Sequence, residues 1–272
     1  MTINSYFSNG SFAMNKPDTE IKRWGIVVIQ SLNPNDYKTG EILYHDVLQY
    51  KEYHKGESFT SFYDVNSSDE FRLAVQTIED SLSEGDILTL QIETHGCDDG
   101  IWLNNGDILK WKEFYDIIRP LNIKTGHLLF VVMAMCKSIA MISAINPEKR
   151  APYRAFICTT RVVTADEIYR GILAFYDKYF NLLDITQALS ALQEEVRDDN
   201  GFSPFLVLSA ENIFSETFNS NRNISSLADN QLERLNMPRT ENTKSIMSDY
   251  LRMLLKDLHD RFYNYYNFKD LY

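Results

Sequence analysis

The chain has 272 residues, 44% of them hydrophobic, which can bury a substantial core and is long for one domain without clearly making two. A net charge of −11 and a sequence pI near 5.0 argue against direct nucleic-acid binding, and no apolar run approaches the roughly 20 residues that span a bilayer. Three cysteines without a C-x-x-C pair and five scattered histidines offer neither a disulfide framework nor a metal-ligand set, so a cofactor-free protein of the reducing cytoplasm is expected.

Residues 1–22 read as a polar leader without periodicity, lacking the basic start and apolar core of a signal peptide. Trp24 to Ser31 is predicted as a central strand, followed by a polar loop from Asn33 to Gly40. Residues 41–57 stay mixed helix and loop, and Ser58 to Val65 is a second candidate strand. Ser67 and Ser68 before Asp69 and Glu70 start a helix with Phe71, Val75, Ile78 and Leu82 on one face, broken by Gly85. The apolar run Asp86 to Glu93 ends on Thr94-His95-Gly96. A short hairpin with an Asn-Gly turn follows, then a helix from Trp111 to Leu121 ended by Pro120 and Asn122. A second apolar run, Leu128 to Met135, ends on Cys136-Lys137. An apolar helix from about Ser138 to Ile145, a proline-flanked breaker, a strand from Arg154 to Thr160, helices Asp166–Phe180 and Ile185–Val196, and a closing strand Phe202–Ser209 complete the pattern. Strands alternating with helices predict a parallel α/β sandwich.

The Asn- and Ser-rich residues 220–242 read as a linker to an amphipathic helix from Thr243 to Phe268, whose stripe is Met247, Leu251, Leu254, Leu258, Phe262 and Tyr265. Residues 224–272 hold seven acidic and seven basic side chains, so the whole −11 sits on residues 1–223. The stripe must be covered by the domain's own surface or by a partner.

Both chemistry-bearing runs have the composition of buried parallel strands, and ligands of such sheets bind beyond the carboxyl ends of the strands. A thiol and an imidazole sharing that crevice form a nucleophile and base, so Cys136 and His95 are the candidate catalytic pair. Gly96 permits the close backbone approach that an oxyanion needs, with the Cys136 N–H as a second donor. Cys158 lies within a strand and is expected in the core, whereas Cys97 has no partner base of its own. His45, His54, His127 and His259 have no motif context and are expected at the surface or in caps.

The order strand–His-Gly, hairpin, Trp-led helix, strand–Ala-x-Cys resembles caspase-like (clan CD) cysteine peptidases, most closely the bacterial CHAT-type branch. The likeness runs over roughly residues 24–215. It implies a three-layer α/β/α sandwich with a mainly parallel central sheet and a hydrolase with His95 as base and Cys136 as nucleophile. It also implies Gly96 and Cys136 as oxyanion donors, and a regulated thiol protease of bacterial antiviral defence or cell death, acting on a protein substrate under a protein activator. The chain departs from the family in carrying Met135 before the cysteine and Lys137-Ser138 after it, and Ala134 stands where branches cutting after Arg or Lys carry Asp. The substrate pocket is therefore sought at Thr159, Thr160, Arg161 and Asp166. Arg161 in the pocket would favour an acidic residue before the scissile bond and Asp166 a basic one, although Asp166 also suits a helix N-cap. The division expected is leader 1–22, peptidase domain 23–219, linker 220–242 and helical extension 243–272. The rival reading is a catalytically silent interaction module of the same fold; a nucleotide-binding α/β protein ranks last, for want of a glycine-rich phosphate loop.

Overall fold

A computed structural model describes residues 22–52, 56–83, 85–182, 185–219 and 224–271; the leader up to residue 21 and His54 lie outside these. Among the described residues, the chain divides into two compact units, one formed by residues up to Ala144 with Ala151–Ser209, the other by Ile145–Arg150 with the residues from Ala210 onward.

The first unit is built on the strands β1 (Arg23–Ser31), β2 (Glu57–Asp64), β3 (Asp86–Gly96), β6 (Leu129–Ala134), β7 (Ala155–Thr159) and β8 (Phe205–Ser209), in the order β2-β1-β3-β6-β7-β8. All neighbours are parallel except β7 and β8. A hairpin of β4 (Gly100–Trp102) and β5 (Ile108–Lys110) adds to the far end of β3. The fold is thus the expected α/β architecture with a mainly parallel sheet.

Helices flank both faces, which is why β1, β3 and β6 are almost wholly buried. On one face Trp24, Ile26, Val28, Phe130, Val132, Ala155 and Ile157 form a core with α1 (Thr39–Asp46), α4 (Ala165–Leu182) and α5 (Ile185–Glu195). Trp24 meets Tyr179 edge-on at 4.9 Å and Phe130 stacks on Phe175 at 5.9 Å. On the other face Phe156 packs on Tyr153, which meets Tyr115 of α3 (Trp111–Lys124); Phe114 of α3 meets Phe71 of α2 (Ser68–Ser81).

Several local expectations change. The helix α3 runs through Pro120 to Lys124, because the carbonyl that Pro120 leaves without its helical donor belongs to exposed Asp116 and can be hydrated, while buried Ile118, Leu121 and Asn122 hold the helix down. It ends where Thr125 Oγ1 donates to the Leu121 carbonyl, followed by Gly126 and His127 at positive φ. His127, expected at the surface or in a cap, does close the end of α3, its N–H donating to the Asn122 carbonyl at 2.7 Å, but it is buried: Asn122 Nδ2 lies 3.0 Å from its Nδ1, in a network that ties α3 to the start of β6. Ser138–Ala144 is 3-10 and not α-helical. The N-cap of α4 is Thr164, which forms a capping box with Glu167, so Asp166 occupies the first turn.

In the second unit, α6 (Ala210–Thr217), α7 (Ser225–Arg234) and α8 (Glu241–Tyr266) pack together. The stretch read as a linker therefore contains a helix. Phe214 of α6 lies against Tyr263 and Tyr266, and Lys244 of α8 pairs with Asp229 of α7 at 2.9 Å. On α8, Tyr266 is buried and Leu255 half-buried, whereas Leu254 and Tyr265 of the expected stripe are exposed. Tyr265 is drawn outward by the Arg150 guanidinium, 4.2 Å from its ring. Among the described residues no helix is long and apolar enough to cross a membrane.

Candidate active site

The register of the central strands sets the stage. Glu93 of β3 pairs with Ala134 of β6, and both face α1 and α4. Two residues further on, strand alternation puts His95 on that same face at the carboxyl edge of the sheet, and Cys136, in the turn just past β6, packs against the same core. The strand ends are in direct contact: a Cβ added at Gly96 would lie 2.1 Å from the Cys136 carbonyl oxygen, so only glycine fits.

His95 is half exposed, and its Nε2 lies 2.8 Å from Oδ2 of Asp36. Sequence reasoning passed over Asp36. It lies in the loop after β1, in a turn closed by the Asp36 N–H on the Asn33 carbonyl. Asn33 donates to the same Oδ2 from its backbone N–H at 2.8 Å and its side-chain amide at 3.0 Å. The bond from His95 in the first place, and those from Asn33, hold the Asp36 carboxyl below its usual pKa against partial desolvation. As a carboxylate it can only accept, so a neutral His95 carries its proton on Nε2 and its lone pair on Nδ1. The available signal was position: an acidic residue just beyond a central strand, at the edge where parallel sheets gather their ligands.

Cys136 is partly buried, and its Sγ lies 3.4 Å from the Val163 N–H and 3.5 Å from the Val163 carbonyl. It makes no hydrogen bond to His95 among the described residues. The next residue, Lys137, has φ 52° and donates its N–H to the Arg161 carbonyl at 3.2 Å. Behind it, Thr159 is fully buried: its hydroxyl donates to the Met135 carbonyl, and its N–H donates to Ser138 Oγ at 2.9 Å. Thr159 thus braces the cysteine turn from below.

The other pocket candidates spread out along the neighbouring loop. Thr160 is exposed and donates its hydroxyl to the Pro204 carbonyl. Arg161 pairs with Glu167 at 2.7 Å, beside the Lys137 backbone, while Asp166 pairs with Arg170 on the solvent side of α4. Cys158 is fully buried in β7, and burial pushes its thiol far up. Cys97 Sγ lies 3.3 Å from the Gly100 carbonyl.

No protein-family model matches the sequence, and no curated protein matches it significantly. Some solved structures are similar. A secreted C11 cysteine protease from Bacteroides thetaiotaomicron, in complex with an irreversible peptide inhibitor, is 11% identical with a TM-score of 0.46, covering 73% of this chain and 70% of that one. The Drosophila initiator caspase Dronc is 13% identical with a TM-score of 0.43, covering 68% and 79%. A protein of Geobacter sulfurreducens is 11% identical with a TM-score of 0.42, covering 68% and 93%.

Proposed function

We propose that the protein is a caspase-like cysteine endopeptidase working through Cys136, His95 and Asp36. The observation that carries the reading is that an imidazole oriented by a carboxylate stands on the same sheet edge as the partly buried thiol of Cys136, across a contact that glycine alone permits. Nδ1 of His95 takes the thiol proton as Sγ attacks the substrate carbonyl carbon, and the imidazolium then delivers that proton to the departing amine. Water, activated by the same nitrogen, resolves the thioester. Asp36 keeps the tautomer and supports the imidazolium in both halves of the cycle. The backbone N–H groups of Gly96 and Cys136 are assigned to the oxyanion. The thiol leaves Val163 and turns toward His95 when substrate binds, since such contacts tighten on complex formation. The setting is a protein substrate in the cytoplasm, under a protein regulator.

The test is cleavage of a peptide library by the purified protein and its Cys136→Ala, His95→Ala and Asp36→Ala variants. Loss of cleavage in the first two, and a fall in kcat of at least about 100-fold in the third, is expected. Cleavage retained by Cys136→Ala would sink the assignment. The Val163 contacts of the thiol favour a second reading, a non-cutting interaction module. It predicts that iodoacetamide labels Cys136 slowly and that His95→Ala leaves the rate unchanged.

A further inference from the structure

The hairpin beyond His95 carries an apolar surface that the catalytic reading leaves unused. In the antiparallel ladder between β3 and β4, His95 pairs directly with Trp102, and Trp102 in turn pairs with Ile108 of β5. Directly opposed residues share a face, so His95, Trp102 and Ile108 form one row across three strands. The alternate row, Ile101 and Leu109, is fully buried, which fixes the first row as the outer one. Trp102 is 51% and Ile108 46% exposed. The Trp102 indole has no ring or hydrogen-bond partner among the described residues. A hairpin this short holds its side chains in place through a buried inner row, and it spends its outer row on two large apolar groups beside a polar, half-exposed imidazole.

Resting on the peptidase reading above, we propose that Trp102 and Ile108 bind the side chain that immediately follows the scissile bond, and that they select an apolar one. The argument is chemical. The acyl half of the substrate stays on Cys136, whereas the leaving nitrogen must reach His95 to receive its proton. The residue attached to that nitrogen therefore departs from the His95 side of the site. Beside Asp36, the neighbours of His95 along its own row of the ladder are Trp102 and, one strand further, Ile108. An apolar side chain laid there removes apolar area of both partners from water, whereas a carboxylate would give up hydration against two largely apolar surfaces.

The experiment uses the full chain and peptides that share one acyl half, taken from the protein's own cleavage profile, and differ only after the scissile bond: Leu, Phe, Gly or Asp. A methyl ester of the same acyl half, which carries nothing beyond the bond, is the reference. The parent is expected to prefer Leu and Phe over Asp by about tenfold or more in kcat/KM. Trp102→Ala and Ile108→Ser should each erase most of that preference while hydrolysing the methyl ester within about twofold of the parent, and Trp102→Phe should restore part of it. A parent without preference after the bond, or variants that slow ester and peptides alike, would overturn the subsite and leave the peptidase intact. A parent that cuts neither peptide nor ester overturns the peptidase reading, and the subsite with it.

Discussion

At Lys137 the backbone enters the left-handed region one residue past the candidate nucleophile. A residue with a Cβ loses about 1–2 kcal/mol there, offset by the N–H bond to Arg161, the Ala140 N–H on the Lys137 carbonyl, the ion pair of the Lys137 ammonium with Asp98 and the bracing of Met135 and Ser138 by Thr159. Lys137→Gly relieves the steric cost but loosens the unfolded chain by about 0.4–1 kcal/mol. The expected result is a thermal midpoint equal to or slightly above the parent's, against a clear fall for Lys137→Val; equal falls in both would mean that the lysine side chain, and not the turn, is what matters. Gly96 is the opposite case. A methyl group there meets a backbone carbonyl that cannot move aside, so Gly96→Ala should cost about 1–3 kcal/mol in urea unfolding and remove cleavage. A stable, active Gly96→Ala protein would show that the strand ends are further apart than described here.

At the scale of elements, the site loop hangs on a buried carboxyl. Glu93 is fully buried two residues before His95, and accepts from Thr39 at the start of α1 at 2.7 Å and from Gln91 at 2.9 Å. Gly40 packs so closely on it that a Cβ would lie 2.6 Å from its Cγ. Through Thr39, Glu93 anchors the segment that carries Asp36. Burial, opposed by the bonds from Thr39 and Gln91, pushes its pKa from 4.5 up to about 7. Because the folded state holds this proton more tightly than the unfolded chain, the contribution to stability is complete below pH 4.5 and is lost as pH rises toward 7. The loss amounts to roughly 3 kcal/mol. Glu93→Gln should therefore flatten the decline of unfolding free energy between pH 5 and 8 relative to the parent. A parallel pH dependence in the two proteins would mean that Glu93 is already ionised when folded.

On the scale of the whole chain, the C-terminal helices are not a free tail. Their unit takes in Ile145–Arg150, a loop from the middle of the sequence, and Arg150 pairs with Asp270 while lying over the rings of Tyr265 and Phe268. A cut after Asn219 leaves Phe214 of α6 without Tyr263 and Tyr266, and removes Asp270, Tyr265 and Phe268 from Arg150. The truncated chain is expected to self-associate or precipitate, and Tyr266→Ala in the full chain to lose about 3 kcal/mol. A monomeric truncation with the parent's thermal midpoint would show that the unit contributes nothing to folding.

The sequence by itself determined the central strands and the long helices of the first unit, but not α1 or the 3-10 turn at Ser138–Ala144, because buried parallel strands and amphipathic helices write their burial directly into short apolar runs and a 3.6-residue period. It also determined that His95 and Cys136 end neighbouring runs. Tertiary structure alone decided the rest. Asp36 is remote from both in sequence and reaches His95 only because β1 lies beside β3. Trp102 becomes an outward neighbour of His95 only through the register of a three-residue ladder. His127 is buried because Asn122, five residues earlier, needs a partner where α3 meets β6. Which residues of α8 turn inward was settled by Arg150 and Phe214, both distant in sequence, since a helical period defines a face but not what that face will meet.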